Sequence, residues 1–312
     1  MAEMERFGKF EVIRELGRGG IATTYLAKDE GAPRLSTLKV FKAELCANRE
    51  FVERMKAGMA KSANLSHKNI AGIYEFGKLV DTYFLSSEYV HGVNLQEVLA
   101  AEPEEPLPHS AAAYLLSELA GALQYAHSFS KPDAGISGGV VHGNLHARNV
   151  MLSNHAELKI LDFCSCRAML GGERAPTAKD DIEAALDLVV GLARAAGLGQ
   201  GEMDMLKAVQ AVAGEGWEAL LSEARPFLVG FDARETKLDV LEHLAARFGE
   251  RWEQEDEVEA KALGGGAHRI VKAGAPRTNE TLYITKAQPA ASIESAGKPG
   301  GGLISKLFRK RD

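Results

Sequence analysis

The character of this chain changes once, near Gly92, and that change limits the folds open to it. Before it, "FEVIRELGRGGIATTYLAKD" alternates apolar and polar residues on either side of a glycine turn. "LSTLKVFKA" and "TYFLSSEYV" are short and rich in β-favouring residues. A single helical pattern interrupts them over residues 49–65, where Phe51, Met55, Met59 and Ala63 recur at helical spacing. After Gly92 helices dominate. "AAAYLLSELAGALQYAHSF" is long and apolar-periodic, and "DIEAALDLVVGLARAAGLG" is a second such segment, closed by glycine. The expectation is an α+β chain of two lobes: a small β-rich lobe with one helix over 7–90, and a helical lobe over 91–251. From Trp252 onward Gly, Ala, Pro and charge replace periodicity, so residues 252–312 are expected to be a flexible tail.

Composition excludes several classes. With 312 residues, 46% hydrophobic and 26% charged, the chain can bury a large core. A net charge of -6 gives no general case for nucleic acid. Three cysteines suit a reducing compartment better than a disulfide framework. No apolar run is long enough to cross a bilayer, so a cytoplasmic protein is expected. The end "GKPGGGLISKLFRKRD" places Leu303, Ile304, Leu307 and Phe308 on one helical face among basic residues. It offers residues 303–311 as a weak contact for an anionic membrane surface; a solvated end is the preferred reading, because one short turn buries little. Nothing in the sequence fixes an oligomeric state.

The residues that carry chemistry occur in a fixed order. A glycine turn, "LGRGGIATTYLAK", is followed by Lys39 in "TLKV", by "YFLSSEYVHGVNL", by "VVHGNLHARNVML" and by "LDFC". Together these resemble the bacterial form of the eukaryotic-type Ser/Thr protein kinase family over roughly residues 7–250, and the order of several markers makes the resemblance specific. It implies a bilobal kinase fold with ATP and Mg²⁺ as cofactors. By position, Gly17 and Gly19 match the glycine-rich loop, Ala22 its third glycine and Thr24 the valine that packs on adenine. Lys39 matches the phosphate-binding lysine and Thr37 a second adenine-facing position. Glu88 and Val90 would turn their backbones to the adenine edge, Asn94 would face the ribose, and Met151 would line the same pocket. Asn149 and Asp162 match the metal ligands.

Several positions depart from the family. In "HGNLHARN", His142 is kept, Gly143 replaces arginine, Asn144 replaces the catalytic aspartate, and His146 replaces lysine. An amide cannot take up a proton at neutral pH, and losing a positioned base costs about 10²–10⁴ in rate. A histidine at 146 is largely neutral at pH 7 and removes a fixed positive charge. The glutamate that should hold the lysine falls at Gly58. Glu53, five residues upstream, lies about 140° around the helix, which leaves Lys39 without an obvious acidic partner. Ser62, where an apolar side chain normally stacks on Phe163, is expected to loosen the assembly. Cys164 stands where a glycine would let the backbone swing. The segment from Asp162 to Asp181 is short for a substrate platform, and the "DDIEAALDLVVGLA" helix resembles the one whose leading aspartate anchors the catalytic loop.

His67, His127, His142 and the Cys164/Cys166 pair lack zinc-finger spacing and read as core. The resulting expectation is a degenerate kinase, or pseudokinase. It would be a regulatory or scaffolding module that binds a protein partner, with ATP and Mg²⁺ retained as candidate ligands. The alternative is a weakly active or unorthodox phosphotransferase, either a Ser/Thr kinase or a nucleotidyl transferase, because a loose transition state makes base loss less than fatal.

Overall fold

The computed structural model describes residues 6–32, 34–100, 107–163 and 174–263. Cys164, Cys166, most of the segment after Phe163, and the tail residues 264–312 with their basic end lie outside the described residues.

Six antiparallel strands form the first lobe: β1 (Arg6–Phe7), β2 (Phe10–Arg18), β3 (Ala22–Asp29), β4 (Leu35–Phe41), β5 (Ile73–Leu79) and β6 (Thr82–Glu88). Their order is β1-β2-β3-β4-β6-β5. Alternation along β4 feeds two small cores. Leu38 joins Phe10, Ala27 and Phe84 on the outer face, and Phe41 joins Phe51, Met55, Met59 and Leu85 on the inner face. The inner face is closed by α2 (Arg49–Ser62), which follows a single turn, α1 (Ala43–Cys46). Asn48 caps α2 by accepting from the Phe51 N–H at 3.1 Å.

The second lobe begins with β7 (Gly92–Asn94) and α3 (Leu95–Ala100). Strands β8 (Val150–Ser153) and β9 (Leu158–Ile160) complete a small sheet in the order β7-β8-β9. Gly92 is required here, because a Cβ would sit 2.2 Å from the Leu152 carbonyl. Around this sheet pack α4 (Ser110–Ser128), α5 (Ala178–Ala195), α6 (Gln200–Ala211), α7 (Trp217–Leu228) and α8 (Ala233–Ala262). Leu119, Leu123, Leu186, Val189, Leu220 and Leu221 form the centre of their shared core. The α+β, two-lobe expectation holds. The glycine stop after α5 holds as well, since Gly197 is left-handed with φ +70.

The tail reading needs correction over residues 252–262. These residues are the last turns of α8, and Trp252 within them is only 6% exposed. At about 1.5 Å per residue, α8 runs for about 45 Å. It reaches the first lobe, where Arg14 pairs with Glu255 at 3.0 Å and Lys28 Nζ donates to the Ala262 carbonyl at 2.8 Å. Charge rather than an apolar stripe holds this end, so hydrophobic periodicity could not reveal it. Among the described residues no helix is long and apolar enough to cross a membrane.

Candidate functional site

The cleft lies between the two sheets. Register places Ala22 opposite Phe41, Thr24 opposite Lys39, and Leu26 opposite Thr37, so these residues share one face of the first sheet. The Gly19 N–H donates to the Ala22 carbonyl at 2.9 Å and closes the glycine turn. A Cβ on Gly17 would meet nothing within 4 Å, so the folded chain leaves open space above that glycine. Ala22 is buried against Phe41 and α2, which puts its methyl to use in packing. Thr24, Thr37 and Met151 are half-buried.

At the hinge, Glu88 is largely occupied by the protein itself. Its N–H donates to the Gly72 carbonyl at 2.8 Å, and its carboxylate accepts from the Gly72 N–H at 3.1 Å and from Lys159 at 2.6 Å. Thr37 Oγ1 lies 3.5 Å from the Glu88 carbonyl, the atom expected to face adenine. Val90 is buried. Asn94 is the residue the sequence places least well. Its Oδ1 accepts from the Glu97 N–H at 3.0 Å, and its Nδ2 and backbone N–H donate to Glu97 Oε2 at 2.6 and 3.0 Å. Both ends of the amide cap α3, so Asn94 is engaged as a helix cap at the position where the resemblance implies a ribose contact.

The loop that follows α4 is anchored by one buried carboxylate. Asp181, 1% exposed, accepts from the His142 and Gly143 N–H groups, each at 2.7 Å, and from His127 Nε2 at 2.9 Å. Trp217 Nε1 donates to His127 Nδ1 at 3.0 Å, which fixes the His127 tautomer. Of the aspartate pair at the start of α5 it is the second that anchors; Asp180 closes a capping box with Thr177. His142 meets Phe163 edge to face at 4.9 Å, as expected of a core histidine. Its Nδ1 accepts from the Asn144 N–H at 3.2 Å, so Nε2 donates to the Leu161 carbonyl at 2.8 Å. Burial lowers its pKa and keeps it neutral.

On this anchored loop Asn144 stands at the base position. Its Nδ2 lies 3.4 Å from His146 Nε2, and its carbonyl accepts from Asn149 Nδ2 at 3.0 Å. That bond uses the amide nitrogen of Asn149 and leaves its oxygen as the end available to a cation. Partial burial, reinforced by Arg148 and Lys39, lowers the His146 pKa, so this ring is neutral at pH 7 as expected.

Lys39 and Asp162 meet directly. The ammonium lies 2.5 and 2.6 Å from the two Asp162 oxygens, with the side chains 13% and 25% exposed. Burial pushes the Asp162 carboxyl up, but Lys39 outweighs it and holds the group below its ordinary range. Asp162 also has a left-handed backbone, φ +57. The acidic partner that sequence reasoning could not find for Lys39 is thus Asp162, the residue that the resemblance implies as a metal ligand. On α2, Gly58 offers no carboxylate, and Glu53 is turned to solvent, 3.3 Å from Lys56. Ser62 departs from expectation: it is 4% exposed and donates to the Phe163 carbonyl, which ties α2 to the second lobe.

The donor types suit a magnesium nucleotide: open glycines, a lysine, an asparagine oxygen and a carboxylate. Lys39 and Asp162 already neutralise each other here, and the ammonium's remaining donors and the carboxylate's remaining lone pairs are what such a ligand would meet. A bound magnesium nucleotide would bring a phosphoryl group and the charge that neutralises it.

The protein kinase domain family matches residues 10–182, more than half of the chain. The serine/threonine-protein kinase PrkC of Bacillus subtilis is 28% identical over 156 residues, covering 50% of this chain and 22% of its own length. PknJ of Mycobacterium tuberculosis is 30% identical over 167 residues, covering 52% and 26%. The tyrosine-protein kinase MasK of Myxococcus xanthus is 29% identical over 170 residues, covering 53% and 26%. The chain thus spans about a quarter of the length of these relatives. Among solved structures, the kinase domain of Mycobacterium tuberculosis PknI superposes with a TM-score of 0.57 at 21% identity, covering 78% of this chain and 100% of that one. That likeness concerns the fold. With two lobes, a hinge, a lysine strand and an anchored catalytic-type loop in family order, this chain belongs to the protein kinase domain family.

Proposed function

We propose that this chain is a pseudokinase: a kinase fold that works as a regulatory or scaffolding module for a protein partner in the cytoplasm, with magnesium nucleotide as its ligand. The observation that carries this reading is Asn144. Asp181 holds the loop backbone at two points, so residue 144 keeps its place while its proton acceptor is gone. Neutral His146 and the closed Lys39–Asp162 pair support the same reading, because both reduce positive charge available to a transferring phosphoryl group. The relatives' names describe kinases; the substitutions at residues 58, 144 and 146 set this chain apart from the pattern of that family.

Purified full-length protein incubated with Mg²⁺ and either α- or γ-labelled ATP, with and without a general protein substrate, tests the proposal. No label transfer above that of Asp162→Ala is expected. Robust γ-transfer that Asp162→Ala abolishes would overturn it in favour of an active kinase, and α-transfer would point to a nucleotidyl transferase. Thermal stabilisation by millimolar Mg-ATP is the expected sign of a nucleotide-responsive module. Its absence would leave a nucleotide-free scaffold.

A further inference from the structure

Behind the hinge, away from the nucleotide cleft, the last turns of α8 bring three carboxylates around one imidazole. His91 Nδ1 lies 3.2 Å from Asp256 Oδ1 and 3.8 Å from Glu259 Oε1, while Nε2 lies 3.3 Å from Glu255 Oε2. Tyr89 stacks on the ring, with centroids 6.4 Å apart. The amide of Asn154 lies 3.3 Å from Nδ1 and completes the polar ring around it. We propose that His91, Asp256 and Glu259 form a binding site for a first-row divalent ion, best matched to Zn²⁺, which fastens α8 to the hinge.

Three observations support this assignment. The first is geometric. At metal–ligand distances near 2.1 Å a tetrahedral site has ligand–ligand edges of roughly 3.4 Å, and the two Nδ1–carboxylate distances of 3.2 and 3.8 Å bracket that value. All three ligand atoms lie within 4.8 Å of one another. The second is satisfaction. Glu259 Oε1, one of the three ligand atoms, is shut off from solvent and has no aligned hydrogen-bond partner, a state that buried polar atoms rarely keep without a ligand.

The third is charge. Arg14 and Arg251 both reach Glu255, at 3.0 and 3.2 Å, and compensate it. Asp256 and Glu259 face Nδ1 instead, and neither is reached by Arg14 or Arg251 in the contacts that hold Glu255. Glu255 then takes the outer role common at such centres. A carboxylate facing Nε2 keeps the proton on that nitrogen and turns the Nδ1 lone pair toward the ion. Imidazole with carboxylates favours Zn²⁺ over Mg²⁺ or Ca²⁺.

The site would have mechanical consequences. Through Arg14 and Lys28 the same helix also grips β2 and β3, so an ion here would hold both lobes and the hinge as one body. It stands apart from the nucleotide site and does not depend on the pseudokinase reading.

The test uses untagged full-length protein, stripped with chelator and titrated with Zn²⁺ by calorimetry, with Co²⁺ followed by visible absorption. One saturable equivalent is expected, with a raised melting temperature. His91→Asn and Glu259→Gln should each weaken binding at least tenfold, whereas Glu257→Gln, on the exposed side of α8, should leave it unchanged. Should the variants fold poorly, hydrogen exchange on the wild type is the second readout: Zn²⁺ should protect residues 89–92 and 252–262. No saturable binding, binding equal in His91→Asn, or protection elsewhere would overturn the proposal.

Discussion

The Lys39–Asp162 pair makes the sharpest claim about this cleft, and a double-mutant cycle can measure it. Both oxygens of Asp162 lie within 2.6 Å of the ammonium, and the side chains are 13% and 25% exposed, so solvent screens the pair only weakly. Hydrogen bonds between charged groups at such sites contribute about 1.5–3 kcal/mol. Lys39→Met and Asp162→Asn should therefore each destabilise the protein, and the double variant should lose less than their sum, with a coupling of about 2 kcal/mol. For an ordered region of this size that coupling corresponds to roughly 4–8 °C in melting temperature. The measurement belongs at pH 7. The Asp162 carboxyl is held below its ordinary value, so the contribution is complete above about pH 4 and fades as pH falls through the depressed pKa. Urea unfolding of the four proteins gives the coupling directly. A value under about 0.5 kcal/mol would refute the pairing. Repeating the cycle in saturating Mg-ATP should shrink the coupling, since each partner then has a ligand of its own.

Two further outcomes follow from the anchors of the site. Asp181→Asn places an amide group against three donors in a position 1% exposed, and should cost about 3–5 kcal/mol, read as a melting temperature lowered by 6 °C or more; a loss under about 1 kcal/mol would mean that the loop is held by something else. Ser62→Ala removes the donor to the Phe163 carbonyl and should cost about 1–2 kcal/mol and speed amide exchange in the last turn of α2; unchanged exchange would show that the tie carries no weight.

How much of this was legible in the sequence depended on what held each part. Elements fixed by apolar periodicity could be read directly: the alternation that sends Leu38 and Phe41 to opposite faces, the Met55/Met59 stripe of α2, and the buried runs of α4 and α5. The packing of His142 against Phe163 was legible from the order and spacing of the loop. Contacts made by polar groups across long separations were not. Neither the Asp162 partner of Lys39, 123 residues away, nor the Glu255 partner of Arg14, 241 residues away, leaves a local pattern. The cap that Asn94 makes is the opposite case, since N-x-x-E carries its own local signal as a capping box.

The loss at residue 58 and the closure of the cleft are one event seen from two sides. A lysine on a central strand, 13% exposed, needs a carboxylate close by, because an unpaired buried ammonium is costly. In the family pattern that carboxylate comes from the helix now occupied by Gly58, which leaves the aspartate at the 162 position free for metal. Here the ammonium lies against Asp162 instead, so the two residues that should hold phosphate and cation neutralise each other. A ligand that draws Lys39 off Asp162 supplies negative charge, and one that draws Asp162 off Lys39 supplies positive charge. Phosphate alone or Mg²⁺ alone would compensate one charge of the pair, whereas the two together would compensate both. On the function proposed above, the cleft would respond to the complex of nucleotide and metal more than to either component.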